Sequence, residues 1–594
     1  MATNKRKTLI ISLATPVVIA FFILAGQFFG GLVYYKLTDI PYSFLQYDSL
    51  YQGWIEYGDV KEVKIQLQLA TIACVLFTTI PILVFILVLI FGRKKEEIHG
   101  SARFANDSEL EKSGLFPKKG APRKYPSILI GKMPKGRFKN KFVELVGQTF
   151  VGVSAPTGSG KGVGIVIPNL LNYSDSIVNT DIKLENFYKT AGFRKQQGQE
   201  VFLFAPDGYA ENEIDRKSGV LRSHRWNPYH YVRRESAYRV GDLLIMANSI
   251  YPLSGDPKSD VWPSSAQKLF IGLSLWMLDT EEITNQTPTL PYLLSLIGVE
   301  GGIANWIKAQ LKHSYISDEC SRELNTFLSF PDETQGSVLL SFNSPLAIYG
   351  DETVAHAVSG NDFDFRDLRR KGMSLFVGVQ PPNKKRFQGL LNLFFEQLIN
   401  ENTRVLPELD NSLTHQCLLL LDEFPAIGRV NQIKESIGFT RQYNLRYLFI
   451  YQDKSQLEDK ALYSKEGADN IIENLSLEVI YPPKKVNSRV KEICETLGTK
   501  TVQVSSKSRT SGKNVSRSLN KAPQKRQLMM PSELVELGHE RHSTADIGLK
   551  TLVFKENQRS FIMDKIIYFD EPAFLKRMEF SKANVPVIPL LKNT

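Results

Sequence analysis

Residues 150–164 read FVGVSAPTGSGKGVG, and the reading of this stretch decides the fold. The run LVGQTFVGVSAP is apolar and β-rich, the glycine-rich TGSGKG follows, and VGIVIPNLL returns to apolar periodicity. Strand, glycine-rich turn, helix is the context in which backbone N–H groups curl around phosphate oxygens and a helix N-terminus adds its dipole. Ala155, Pro156, Thr157, Gly158, Ser159, Gly160, Lys161, Gly162 and Val163 are therefore the candidate nucleotide-binding residues. Lys161 supplies the charge for the β- and γ-phosphates. Two letters depart from G-x-x-x-x-G-K-[ST]. Ala155 replaces the first glycine, which is acceptable where φ is negative. Gly162 replaces the hydroxyl residue that ligates Mg2+, so the metal relies on water, phosphate oxygens and a carboxylate elsewhere, with Ser159 a weak substitute.

Downstream, HQCLLLLDEFPAIG (residues 415–428) is an apolar strand ending in Asp422-Glu423. In the order and strand-end placement of a Walker B element, Asp422 holds the Mg2+ hydration shell and Glu423 orients or deprotonates the attacking water. Further short apolar strands are expected at SIVNTD, ending at Asp181, and at residues 373–380, 446–453 and 477–483, separated by helical segments. That alternation predicts an α/β fold with a mostly parallel, helix-covered sheet. Gln380 and Gln452 fall at strand ends, where each reads either as a γ-phosphate sensor or as an ordinary strand-end polar residue. From about Arg233 to Ile348 strand signals fade and apolar residues take helical spacing.

The amino-terminal hundred residues differ in kind. Residues 9–35 and 66–92 carry no charge and are long enough to cross a hydrocarbon core of about 30 Å. Lys5, Arg6 and Lys7 precede the first run, and Arg93, Lys94 and Lys95 follow the second. The loop at residues 36–65 is acidic on balance. The positive-inside rule then puts both ends in the cytoplasm and the loop outside, in the periplasm of a Gram-negative cell. The expected order is a cytoplasmic tail 1–8, transmembrane helices 9–35 and 66–92 around a periplasmic loop 36–65, then a nucleotide-binding domain in two parts, 93–232 and 349–594, around an all-α domain 233–348. The 594-residue chain has net charge +11, which suits an anionic partner or merely reflects membrane flanks. Its four cysteines have no metal-ligand spacing and read as reduced.

Taken together, HGSARFA, APTGSGKGVGIVIPNLL, DIKLE, RWNPY, LLLLDEFPAIG, FIYQDKSQLE and RQLMMPSELVELG resemble the type IV secretion system coupling proteins, specifically the TraG-type conjugation ATPases. The resemblance runs from the membrane spans to about residue 555. It implies a RecA-like P-loop ATPase with an inserted all-α domain, ATP and Mg2+ as cofactors, and a homo-hexamer at the bacterial inner membrane. It also implies recruitment of a relaxase–DNA complex and its delivery to the secretion channel's inner-membrane components. Glycine after the phosphate-loop lysine is a trait of that family, whereas Leu184 stands where the family often has glycine in D-x-K-G-E.

RecA-like motors complete their site with an arginine from the next subunit. Arg441, just before the 446–453 strand, matches the family's arginine, with Arg429 and Arg446 as rivals. Residues 500–526 hold eight Lys or Arg and no acid, and read either as a sequence-indifferent DNA-phosphate contact or as a solvated linker. Residues 131–141 are a second basic stretch, placed before the first strand and suited to lipid headgroups. The competing functions are a chromosome-partitioning translocase, disfavoured by the span count and the lack of a sequence-reading tail, a coupling receptor for protein effectors alone, and a non-hydrolysing cargo receptor.

Overall fold

The computed structural model describes residues 2–91, 97–118, 120, 124–510 and 516–591. It divides into two compact units, Met1–Ile98 and His99–Thr594.

In the first unit, helices α1 (Ala2–Leu37) and α3 (Lys61–Phe91) run alongside each other. Pro16–Leu37 and Lys61–Val84 are long and apolar enough to cross a membrane. Bulky side chains such as Phe21, Leu24, Ile72 and Leu83 remain exposed on them, as an apolar solvent requires. The helices approach through a small-residue seam. A Cβ on Gly26 would fall 1.9 Å from Thr78 Oγ1, and one on Gly30 would fall 2.8 Å from Cys74 Cβ. The 36–65 loop is not all loop. It carries helix α2 (Ser49–Tyr57), whose Gly53 packs on Tyr34 and whose Trp54 Nε1 donates to Thr71 Oγ1 at 2.7 Å.

The second unit is built on an 11-stranded sheet. Its strands in chain order are β1 (Ile128–Lys132), β2 (Phe142–Leu145), β3 (Val151–Ser154), β4 (Ser176–Thr180), β5 (Glu200–Phe204), β6 (Met373–Val377), β7 (Cys417–Asp422), β8 (Leu445–Tyr451) and β9 (Leu477–Ile480), then β12 (Lys550–Lys555) and β13 (Phe561–Asp564). The spatial order is β2-β1-β13-β12-β9-β3-β8-β7-β4-β6-β5. The run from β9 to β5 is parallel, and the four strands beyond β9 pair antiparallel. Both faces are covered. Along β7, Leu419 and Leu421 enter one core and Leu418 and Leu420 the other, which is why the strand reads as an unbroken apolar run. The adjacent strands β5 and β6 are separated by residues 205–372, a stretch holding helices from Glu213–Ser218 to Glu352–Ala357 and no strand.

Two basic stretches differ from expectation. Residues 131–141 do not precede the first strand but span the end of β1 and the turn into β2. Residues 500–526 are neither loop nor linker but an antiparallel ribbon of β10 (Thr499–Thr510) and β11 (Ser516–Gln527), with residues 511–515 outside the described set. Alternating Val, Thr and Ser in β10 favour extended backbone over coil. The ribbon's root is tied to the start of the unit, with Thr501 N donating to Gly100 O at 3.1 Å.

Candidate nucleotide site

The spatial order β3-β8-β7-β4 sets four carboxyl strand ends side by side. From them emerge the phosphate loop, Gln452, Asp422-Glu423 and Asp181. Register aligns Ser154 with Tyr451 and Asp422 with Ile450, so these groups lie at one level. Open α/β sheets bind ligands at this edge.

The loop after β3 takes the phosphate-cradling form. Gly158 and Gly160 have φ of +78° and +82°, which side chains resist. Ala155 is absent from the positive-φ positions, so the lost glycine costs nothing there. Gly162–Val166 forms a π-helical turn directly after Lys161. A cleft of about 500 Å³ opens above, lined by Ala155, Thr157, Gly158, Gly160, Lys161, Gly162 and Val163 from the loop and by Asp181, Lys183, Lys189, Lys384, Asp422, Glu423, Gln452 and Tyr568 from elsewhere. Pro156 and Ser159 do not line it. The Ser159 hydroxyl is buried without a partner, so the hydroxyl the loop presents to the cleft is that of Thr157.

Lys161 Nζ donates to Glu423 Oε2 at 2.8 Å and lies 3.0 Å from Asp422 Oδ1. Burial works against its charge, but the two carboxylates outweigh it and hold the amine above its ordinary range. Burial also opposes the charge on Glu423, and Lys161 overrides it, keeping that carboxyl below its usual range. Glu423 has φ +90°, an unfavourable backbone for a side-chain residue, and is held there by Lys161 and by Gln452. Gln452 Nε2 donates to Glu423 Oε1 at 3.0 Å, and Gln452 Oε1 accepts from Thr157 Oγ1 at 3.0 Å. Gln452 thus bridges the loop and the acidic pair. Gln380 does not line the cleft, its Nε2 donating instead to Gly208 O at 3.5 Å.

Asp422 Oδ1 is buried on the cleft wall, where Lys161 Nζ meets it at 3.0 Å. Nothing lies within 4 Å of where a Cβ on Gly162 would sit. A strand-end carboxylate beside open space, freed when Lys161 turns to phosphate, fits a hydrated Mg2+. Among the described residues no group of three His, Cys, Asp or Glu forms a protein-only metal site, so phosphate and water would complete its shell.

Arg441 is not brought to this cleft. It is exposed in the turn Thr440–Tyr443, at the amino end of β8, whereas the cleft lies at the carboxyl end. Its rival Arg446 is fully buried, donating to the carbonyls of Thr149, Pro126 and Leu145, and has no free face for a neighbour. Arg429 is exposed and donates to Asn431.

Several residues of the site were not found by sequence reasoning. Lys384 lies in the turn after β6, and its charge helps lower Glu423. Tyr568 and Lys565 come from beyond β13, past the end of the recognisable motifs. Asp181 carried a motif signal but no role. Burial raises its carboxyl to about 7, beside Asp422. Leu184 sits at φ +57°, where glycine is unstrained, and it fits because Gly378 leaves space: a Cβ there would lie 2.1 Å from Leu184 Cδ2.

A glycine-rich loop, a strand-end Asp-Glu pair and a parallel sheet of this order define a RecA-like P-loop nucleotide-binding fold. Residues 103–587 match the family described as type IV secretory system conjugative DNA transfer, and the chain belongs to that family. It is a coupling protein of type IV secretion. Its relatives include the conjugal transfer protein TraG of Escherichia coli, 28% identical over 533 residues that cover 82% of this chain and 79% of TraG. Protein VirD4 of Rhizobium radiobacter is 28% identical over 417 residues, covering 69% of this chain and 56% of VirD4. Among solved structures, the plasmid coupling protein TrwB in complex with ADP and Mg2+ aligns with a TM-score of 0.55 at 15% identity, over 80% of this chain and 96% of that one. The form with a non-hydrolysable ATP analogue gives 0.53 at the same identity and coverage. These two show a shared fold.

Proposed function

We propose that the protein is a two-pass inner-membrane ATPase that couples ATP hydrolysis to the transfer of relaxase-bound DNA into a type IV secretion channel. The observation that carries this reading is the convergence of Lys161, Asp422, Glu423 and Gln452 on one cleft. The loop N–H groups and Lys161 bind the polyphosphate. Lys161 exchanges its carboxylate partners for phosphate, which frees Glu423 to accept a proton from the attacking water while Gln452 keeps its carboxylate oriented. Asp422 would hold Mg2+, which supplies charge neutralisation on the phosphates. Arg441 serves the cleft of a neighbouring subunit in a ring of six. Residues 233–348 form the helical cargo-facing domain, and the basic ribbon contacts DNA phosphates without reading sequence. The TraG and VirD4 relatives and the nucleotide-bound TrwB neighbours support this reading. DNA-stimulated ATP hydrolysis by the assembled protein, compared with Glu423→Gln, tests it. Turnover in the wild type and its loss in the variant, with ATP binding retained, is the expected result. Tight nucleotide binding without turnover in the wild type would leave only the receptor reading.

A further inference from the structure

The residues just before β12 and just after β13 lie against the phosphate loop. Ile547 packs against Gly160, 3.0 Å from where a Cβ would stand, and Lys565 N donates to Leu549 O at 2.9 Å. Lys565 itself is 4% exposed. Its Nζ donates to Ser159 O at 2.8 Å and lies 4.2 Å from the centre of the Tyr481 ring. Among the described residues no carboxylate pairs with it. The approach needs Gly164, where a Cβ would fall 3.3 Å from Lys565 Cβ and 2.9 Å from Tyr481 Oη. A buried amine with one carbonyl and one ring for partners is costly to the fold, so its place needs a reason.

The reason lies in the peptide it grips. In a planar trans peptide the C=O and the following N–H point in opposite directions. Holding Ser159 O from beneath turns the Gly160 N–H the other way. That N–H makes no hydrogen bond to another described residue, and Gly160 lines the cleft that Lys565 does not line. We propose that Lys565 is a positioning residue of the nucleotide site, fixing the Ser159–Gly160 peptide so that its N–H faces bound polyphosphate. The proposal rests on the reading of the cleft as a nucleotide site. Burial, with the charge of Arg541 adding to it, pushes the amine down to about 7, which agrees with a group retained against the interest of stability.

Lys565→Met keeps the buried stem and removes the donor. The test is Mg2+-dependent binding of a fluorescent ADP to the full chain in nanodiscs, alongside nucleotide-free melting and ATP turnover. The expected result is about tenfold weaker ADP binding and a raised KM, kcat within about twofold, and a melting temperature equal to or above wild type. Lys565→Gln, which retains an N–H for Ser159 O, should bind between the two and serves if the methionine variant does not fold. Unchanged ADP binding overturns the proposal, as does weaker binding accompanied by a lower melting temperature, which is the mark of a purely structural lysine. Wild type that binds ADP without hydrolysing ATP sinks the ATPase reading and leaves this test intact. Wild type that binds no ADP sinks both.

Discussion

Lys161 Nζ sits 2.8 Å from Glu423 Oε2, so the phosphate-loop cation and the strand-end acid are paired directly. Each therefore stands in the other's way. In the proposed cycle, polyphosphate draws the lysine off before the glutamate acts on water. On that reading, binding and activation of the proposed base are a single event, and Gln452, bonded to Glu423 Oε1, is the group that would keep Glu423 in place once Lys161 leaves.

Gln452→Ala should therefore spare nucleotide affinity and lower turnover. With Glu423 released from one of its two tethers at φ +90°, kcat is expected to fall about 10- to 100-fold, on the scale of a misplaced general base. Steady-state kinetics alongside direct ADP binding checks this. A rise in Kd with kcat unchanged would show that Gln452 serves the loop through Thr157 instead.

The empty space at Gly162 gives a second prediction. A side chain there meets nothing within 4 Å, and φ is not positive, so Gly162→Thr should fold as wild type and slightly stabilise the helix start. If bound Mg2+ has no protein hydroxyl among its ligands, the added one should lower the Mg2+ concentration for half-maximal ADP binding several-fold. No change in that titration would mean that the metal sits away from residue 162.

How much of this was legible in the sequence follows from where each signal lives. The phosphate loop and the Asp-Glu pair are local patterns tied to one strand each, and FVGVSAPTGSGKGVG and LLLLDEF state them outright. Strands β12 and β13 are not legible because they extend the sheet antiparallel from its edge, with ordinary mixed composition. Lys565 is a single lysine whose meaning depends on a carbonyl 406 residues away, which no spacing rule reaches. The ribbon's extended conformation is not legible because eight cations and many serines suggest solvated coil, whereas cross-strand pairing lets such residues alternate on a two-stranded sheet.

Of the two arginines near β8, Arg446 has a structural role and Arg441 is the one proposed to act between subunits. Arg446 satisfies three carbonyls from the core, so Arg446→Met should cost about 3 kcal/mol or more by orphaning them. Arg441 is exposed, and Arg441→Ala should leave melting and ADP affinity unchanged. Its turnover should fall by about 10³-fold, and only under conditions where the wild type assembles. Mixing Arg441→Ala with Glu423→Gln subunits should restore part of the activity, since each supplies what the other lacks. No restoration in mixed rings would remove Arg441 as a trans residue.

Leu184 and Gly378 form a matched pair. Gly378→Ala alone should destabilise by about 1–3 kcal/mol, because the new methyl overlaps Leu184 Cδ2. In a Leu184→Gly background the same substitution should be nearly neutral. The double-mutant cycle is expected to show a coupling of at least about 1 kcal/mol, measured by denaturant unfolding. Additive effects would mean that the Gly378 penalty comes from the backbone carbonyl of Asp181, 3.0 Å from the same Cβ, and not from the leucine.

The last prediction concerns pH and follows from Lys565. Its folded pKa is pushed down to about 7, against an unfolded value near 10.5. Below about 7 both states hold the proton, and the folded state carries the full burden of a buried ammonium. Between about 7 and 10.5 the unfolded state binds more protons than the folded one, so this group makes stability rise with pH across that window. Replacing it removes the slope. Lys565→Met should exceed wild type in stability by about 1–3 kcal/mol at pH 6.5, and the gap should close as pH approaches 10. Chemical denaturation of both proteins at matched ionic strength reads the difference directly. A gap that stays constant from pH 6.5 to 10 would show that the amine keeps its proton throughout, with Ser159 O and the Tyr481 ring together sufficient to hold an ammonium beneath the phosphate loop.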